Sequence, residues 1–137
     1  MRMSPSNVVY DVNGSVRADE LSDLFKKSGI SRPFEDLDRM RRMIENSNII
    51  VTARIDGLLV GVARSLSDFS YCCYLSDLAV DEKYQRRGIG EELIRRTRGL
   101  LSEEVSLILL SAKGAMDYYP RIGFERVDNA FVIRRKR

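Results

Sequence analysis

The sequence predicts one mixed α/β domain of the α+β kind, and three observations carry that prediction. Apolar residues recur with two periods, alternating in some segments and spaced three and four apart in others. These segments succeed one another in the order β-α-α-β-β-β-α-β-α-β-β, with no repeat, low-complexity stretch or linker between them. The chain has 137 residues, 44% hydrophobic and 31% charged, which suits a single buried core spanning 1–137.

Residues 7–12 alternate enough for a first strand. Over 17–28, Leu21, Leu24 and Phe25 share a helical face, and Gly29 supplies the stop. A second helix is expected over 34–45, with Phe34, Leu37, Met40 and Ile44 as its stripe and Pro33 at its start. Strands over 49–55 and 58–64 flank Asp56-Gly57, a two-residue hairpin signal, because a type I′ turn needs positive φ at both positions. Residues 71–80 form a long β-prone run.

Helical spacing returns over 88–101, with Ile89, Leu93, Ile94, Thr97, Leu100 and Leu101 inward. Glu91 with Arg95, and Glu92 with Arg96, are i,i+4 pairs on its outer face. The apolar run 105–110 reads as a strand covered on both sides. A short helix over 113–119 is expected to end by Pro120, and 124–127 with 131–135 to close the sheet as a hairpin.

Composition removes several function classes. There is no histidine, which excludes Ser-His-Asp and Cys-His catalysis and most zinc sites, so no metal is expected. The neighbours Cys72 and Cys73 point to opposite strand faces and are expected to be buried, inert thiols of a reducing compartment. No apolar stretch is long enough to cross a membrane, and no leader-like run opens the chain, so a cytoplasmic location is the expectation. Net charge is only +3, and the terminal run Arg134-Arg135-Lys136-Arg137 lacks interleaved aromatics, so no nucleic-acid partner is expected.

The informative segment is Leu78-Ala79-Val80-Asp81-Glu82-Lys83-Tyr84-Gln85-Arg86-Arg87-Gly88-Ile89-Gly90. A strand ends near Val80 and a helix opens at two glycines. Backbone N–H groups at a helix start lack acceptors and sit at the positive end of the macrodipole, so glycines there let phosphate approach. Lys83, Arg86 and Arg87 add charge, and the whole reads as a pyrophosphate cradle. A P-loop would follow its last glycine with Lys and Ser or Thr, where this chain has Glu91 and Glu92. A dinucleotide fingerprint needs a small residue at Leu93.

Gln85 to Gly90 resembles the coenzyme-A loop of the GNAT superfamily: Gln or Arg, two residues, Gly, one residue, Gly or Ala. The preceding Leu78-Ala79-Val80 triplet and the later Tyr118-Tyr119-Pro120-Arg121-Ile122-Gly123-Phe124 match the family's pattern at its spacing, and the element order agrees over nearly the whole chain. The resemblance implies a mostly antiparallel central sheet whose fourth and fifth strands splay apart. It also implies acetyl-CoA as cosubstrate, with its pantetheine arm in the splay against the backbone of Leu78 and Val80. The cofactor-binding residues implied are Leu78, Ala79, Val80, Gln85, Arg86, Arg87, Gly88, Ile89, Gly90, Glu91, Ser111 and Tyr119. One departure stands out: where many members have Asn three residues before the small residue of the second motif, this chain has Ala112 before Ala115, so Ser111 or backbone groups would substitute.

The activity implied is acetyl transfer to an amine acceptor by direct attack. Three tasks follow: deprotonating the ammonium, stabilising the oxyanion and protonating the thiolate. Tyr119 matches the family's leaving-group acid. For the base, Asp77 is the leading side chain, immediately before the segment expected to hold the thioester, and a water chain is its rival. Tyr10, Tyr74 and Ser76 are further candidates for the acceptor side, and Tyr118 is expected to pack. A module that binds acyl-CoA without turnover remains the alternative reading. In this superfamily the closing strands often serve contacts between copies, which makes a homodimer a candidate assembly.

Overall fold

The fold was analysed in a computed structural model, which describes residues 7–137; the expectation about the opening of the chain lies outside the described residues. Five strands form one sheet in sequential order: β1 (Val9–Val12), β2 (Ile49–Ile55), β3 (Leu58–Ser67), β4 (Cys72–Val80) and β5 (Ser106–Ile108). The first three pairings are antiparallel and β4–β5 is parallel. Asp56 and Gly57 take φ of 50° and 81°, the left-handed turn that the β2–β3 hairpin requires.

Two layers of helix cover the sheet. On one face α1 (Ala18–Ser28) and α2 (Leu37–Glu45) bury Leu21, Leu24, Phe25 and Met40 against Ile50, Leu59, Val62 and Ala79. On the other, α3 (Ile89–Gly99) sets Ile89, Leu93 and Ile94 against Val51, Ala53, Val60, Ala63 and Leu75. Both layers follow from alternation along strands and three-four spacing along helices. α2 starts three residues later than its pattern suggests, because the Asp36 side chain accepts from the Arg39 N–H and fixes the cap there.

Three expectations need correction. The helix before Gly123 does not end by Pro120: a 3-10 turn at Lys113–Ala115 is followed by α4 (Tyr118–Arg121), with Pro120 inside it. Pro120 lies in the first turn, where an N–H has no intrahelical acceptor and its loss costs nothing. Cys72 is exposed and only Cys73 is buried, since the first residue of β4 turns its side chain off the core face. The third concerns the end of the chain. Residues 125–137 make no ladder, Phe131 and Ile133 are 98% and 100% exposed, and β5 keeps only three residues, with Ile108 half exposed. Within one copy no sheet edge meets those residues, so neither the closing hairpin nor a two-sided cover for β5 forms.

Candidate active site

The site is built where β4 loses its neighbour. β4 and β5 pair only at Cys72–Ser106, Cys73–Leu107 and Tyr74–Ile108, so the edge of β4 from Leu75 to Val80 has no β5 partner. A bulge lies at the same place. Arg64 faces Asp77 and Ser65 faces Leu75, leaving Ser76 without a partner on β3. The bulge resets the alternation, so Leu78 and Val80 turn toward the α3 layer while Asp77 and Ala79 turn toward α1 and α2.

Beyond Val80 the chain turns sharply into α3. Asp81 is buried, its N–H donates to the Val60 carbonyl at 2.9 Å, and its side chain accepts from the Lys83 N–H at 3.0 Å. Gln85 donates from Nε2 to the carbonyls of Val80 at 2.8 Å and Ser28 at 3.3 Å, tying the loop to the ends of β4 and α1. Arg86 and Gly88 both take left-handed φ, 66° and 83°. Such turns draw backbone N–H groups into an anion-binding concavity. The first bond of α3 runs from Glu92 N to Gly88 O, so the N–H groups of Ile89, Gly90 and Glu91 have no acceptor within the helix.

A Cβ built on Gly88 meets nothing within 4 Å; the space before these amides is open, and the residue is glycine for its φ. Gly90 differs. Its Cβ would stand 3.1 Å from Tyr118 Oη, 3.8 Å from Val80 Cγ2 and 3.9 Å from Leu78 Cδ2. Beside the loop, Gly88, Glu91, Arg95, Arg98 and Ile122 line a groove of 230 Å³. Open amides, exposed Arg86 and Arg87, and this groove form a donor set suited to a nucleotide diphosphate.

Tyr119 is half-buried, edge-on to Phe124 at 5.5 Å and to Tyr118 at 5.2 Å. Its carbonyl accepts from Ile122 at 3.1 Å and Phe124 at 3.1 Å, closing the turn that the Gly-Phe pair makes. Burial pushes its phenol above the ordinary 10.0, the neighbouring Tyr118 adds to this, and the Arg32 guanidinium pulls the other way. Burial and then Glu91 likewise push up the Tyr118 phenol. Both hydroxyls hold their protons at neutral pH.

Asp77 is engaged in a way that its sequence position does not reveal. It is 1% exposed; Oδ1 accepts from Arg32 Nε at 2.6 Å and Oδ2 accepts from Arg64 Nε. Arg32 also donates to the Ser76 carbonyl at 2.7 Å and the Ser31 carbonyl at 2.7 Å. Arg64 reaches Ser47 Oγ and Ser76 Oγ, each at 3.0 Å. With both oxygens held by guanidiniums, the buried carboxylate ties the β4 bulge to the Arg32 loop and to β3.

The remaining expected residues scatter. Ser111 Oγ donates locally to the Ala112 carbonyl at 2.7 Å. Arg87 lies over the Tyr84 ring at 5.6 Å. Tyr10 is stacked by Arg96 at 4.6 Å, and Tyr74 is 40% exposed at the end of the β4–β5 ladder. Neither Arg32 nor Arg64 is among the expected catalytic or cofactor-binding residues. Arg64 was findable, because the Asp56-Gly57 hairpin extends into a meander that sets it opposite Asp77; no local signal marks Arg32.

With this geometry in hand, known proteins supply the class. A family profile described as acetyltransferase (GNAT) domain matches residues 21–134, and the chain belongs to that family. Among relatives, a histone acetyltransferase named TAP1 from Glycine max is 28% identical over 131 residues, 86% of this chain and 56% of its own length. The chloroplastic GCN5-related N-acetyltransferase 2 of Arabidopsis thaliana is 36% identical over 69 residues, 49% of this chain and 27% of its own. The chain thus spans about half or less of the length of these relatives.

Among solved structures, a GNAT-family acetyltransferase from Streptococcus pneumoniae superposes with a TM-score of 0.73 at 21% identity, covering 94% of this chain and 99% of that one. The aminoglycoside N-acetyltransferase AAC(6')-Iy, solved with CoA, gives 0.67 at 15% identity, covering 98% and 99%. These likenesses establish the fold. Among the described residues no helix is long and apolar enough to cross a membrane.

Proposed function

We propose that this chain, read as one GNAT domain, is an acetyl-CoA-dependent N-acetyltransferase acting on a primary amine of a small molecule or peptide by direct attack in a ternary complex. One observation carries the reading: the edge of β4 opens after Tyr74 and leads straight to three unpaired amides at the start of α3. The open edge of Leu78, Ala79 and Val80 offers backbone groups to the pantetheine amides, as a strand would. The loop from Gln85 through Glu91 takes the pyrophosphate on backbone N–H groups, with Arg86 and Arg87 adding charge, and Ser111 or backbone groups stand in for the family's Asn on the coenzyme arm. Acetyl-CoA, when bound, supplies an acyl thioester.

Tyr119 Oη holds the proton that the departing thiolate needs, and its raised pKa keeps that proton in place at neutral pH. Tyr118 is a second candidate for this role, since its hydroxyl stands 3.1 Å from where a Cβ on Gly90 would be. Two free thiols suit a reducing compartment, the cytoplasm.

Saturating coenzyme A should raise the melting temperature, since a ligand at a hundredfold excess over its dissociation constant adds about 2.7 kcal/mol. Free thiol release across an amine panel then tests turnover. Stabilisation without release would favour the binding module, and no stabilisation of a folded protein would sink both.

A homodimer is the second part of the proposal, and the bare apolar terminus supports it. Phe131 and Ile133 on an extended segment, and Ile108 and Leu110 beside the outer edge of β5, are complementary surfaces left open in one copy. Light scattering on the full chain and on Phe131→Asp/Ile133→Asp decides it: a dimer that the double variant abolishes supports the assembly, and a monomeric wild type or a dimer that survives the double variant refutes it.

A further inference from the structure

Neither a histidine nor a free Asp77 carboxylate is at hand to take a proton, and the arrangement around Arg32 offers another route. There is no histidine in the chain, and Asp77 is buried between two guanidiniums. The Arg32–Asp77–Arg64 cluster carries two positive charges against one negative. Arg64 is buried within it, whereas the Arg32 side chain is 25% exposed, so the surplus charge faces outward through Arg32. Arg32 also grips the carbonyl of Ser76, the bulged residue on the open edge of β4 and only two residues before Leu78.

We propose that Arg32 holds a bound acceptor amine in its neutral form by charge repulsion, so that transfer at this site needs no side-chain base. The inference rests on the N-acetyltransferase reading above. A cation within a few ångströms of an ammonium disfavours the charged form, most strongly where water is thin. The ammonium gives one proton to solvent and the neutral nitrogen attacks the thioester carbonyl. As the C–N bond forms and the C–S bond breaks, a tyrosine proton passes to the thiolate, and the second nitrogen proton leaves to solvent, restoring the tyrosine. The balance is one ammonium and one thioester to one amide, one thiol and one proton.

Asp77 on β4 is shared with Arg64 on β3, and the Tyr119 phenol on α4 lies close enough to feel its charge. Glu82 borders the start of the Arg32 loop, its Oε1 3.1 Å from where a Cβ on Gly29 would be. The same repulsion selects the acceptor: a monoamine is favoured over a polycationic amine, whose extra charges Arg32 would repel as well.

The test compares kcat against pH for wild type, Arg32→Met and Arg32→Lys, using one monoamine that wild type acetylates. Asp77 keeps Arg64 in both variants, and circular dichroism confirms their fold. Loss of the charge should move the acid limb of kcat in Arg32→Met upward by about one pH unit, a tenfold loss of rate on that limb. The alkaline limb should move up with it, since Tyr119 loses the same cation. Arg32→Lys, which keeps the charge but not the three hydrogen bonds, should retain the wild-type limbs. Limbs unmoved in Arg32→Met, or moved equally in both variants, would overturn the inference in favour of a purely structural tether. A wild type that releases no thiol with any amine fails at the underlying reading instead.

Discussion

Arg32, in the loop after α1, donates from Nε to Oδ1 of Asp77 at 2.6 Å, joining residues 45 positions apart at the bulge where β4 opens. The carboxylate is fully buried and balanced on its other oxygen by Arg64. Such a cluster tolerates loss of its members unequally.

Asp77→Asn leaves two guanidiniums facing one another without an anion, and should destabilise the fold by about 3–5 kcal/mol. Arg32→Met leaves the Asp77–Arg64 pair intact and should cost less, about 1.5–3 kcal/mol for charged hydrogen bonds. Urea titration of both variants measures the difference. Equal losses would mean that Asp77 depends on Arg32 alone.

Tyr119→Phe removes one oxygen and keeps both ring contacts. The expected result is a fall in kcat of about 10²–10⁴-fold at unchanged coenzyme affinity, because the proton moves only as the C–S bond breaks. Tyr118→Phe, measured beside it, should stay near wild type. The reverse pattern would transfer the acid role to Tyr118, whose hydroxyl borders Gly90.

Gly88 and Gly90 fail for different reasons when substituted. Gly88→Val forces a branched residue to φ of 83°, costing about 1–3 kcal/mol and closing the amides to phosphate. Coenzyme-induced stabilisation should vanish. Gly90→Ala instead brings a Cβ to 3.1 Å from Tyr118 Oη, so its cost should shrink in a Tyr118→Phe background. An additive double variant would show that the hydroxyl is free to step aside.

Glu92 accepts from Arg95 at 2.6 Å and Arg96 at 2.7 Å, and these bonds hold its carboxyl down at about 2 against an ordinary 4.5. A depressed native pKa means that the unfolded chain takes up the proton first. The pairing therefore contributes fully above pH 4.5 and is lost as pH falls through about 2. With Arg95 70% exposed, screening keeps the contribution below about 1 kcal/mol. The gap in melting temperature between wild type and Glu92→Gln should close over that window, and a gap constant with pH would assign it to packing.

Much of this protein follows from local sequence. The β2–β3 hairpin forms at Asp56-Gly57 because that backbone geometry joins those strands, and the middles of the three core helices follow their apolar spacing, while Leu37 and Leu100 at helix ends stay exposed. The sharp turn and helix start from Gln85 to Gly90 are legible for the same reason, since they are built from backbone and glycine marks the left-handed position within a few residues. Tertiary structure alone decided what surrounds Asp77, Tyr118 and the last residues. A carboxylate next to the reaction segment reads as a base until a distant Arg32 and a cross-strand Arg64 occupy both its oxygens. Tyr118 packs edge-on to Tyr119, and only the fold shows its hydroxyl 3.1 Å from where a Cβ on Gly90 would be. Residues 131–135 have the alternation of a strand, but a strand exists only where another edge accepts its hydrogen bonds, and within one copy none does.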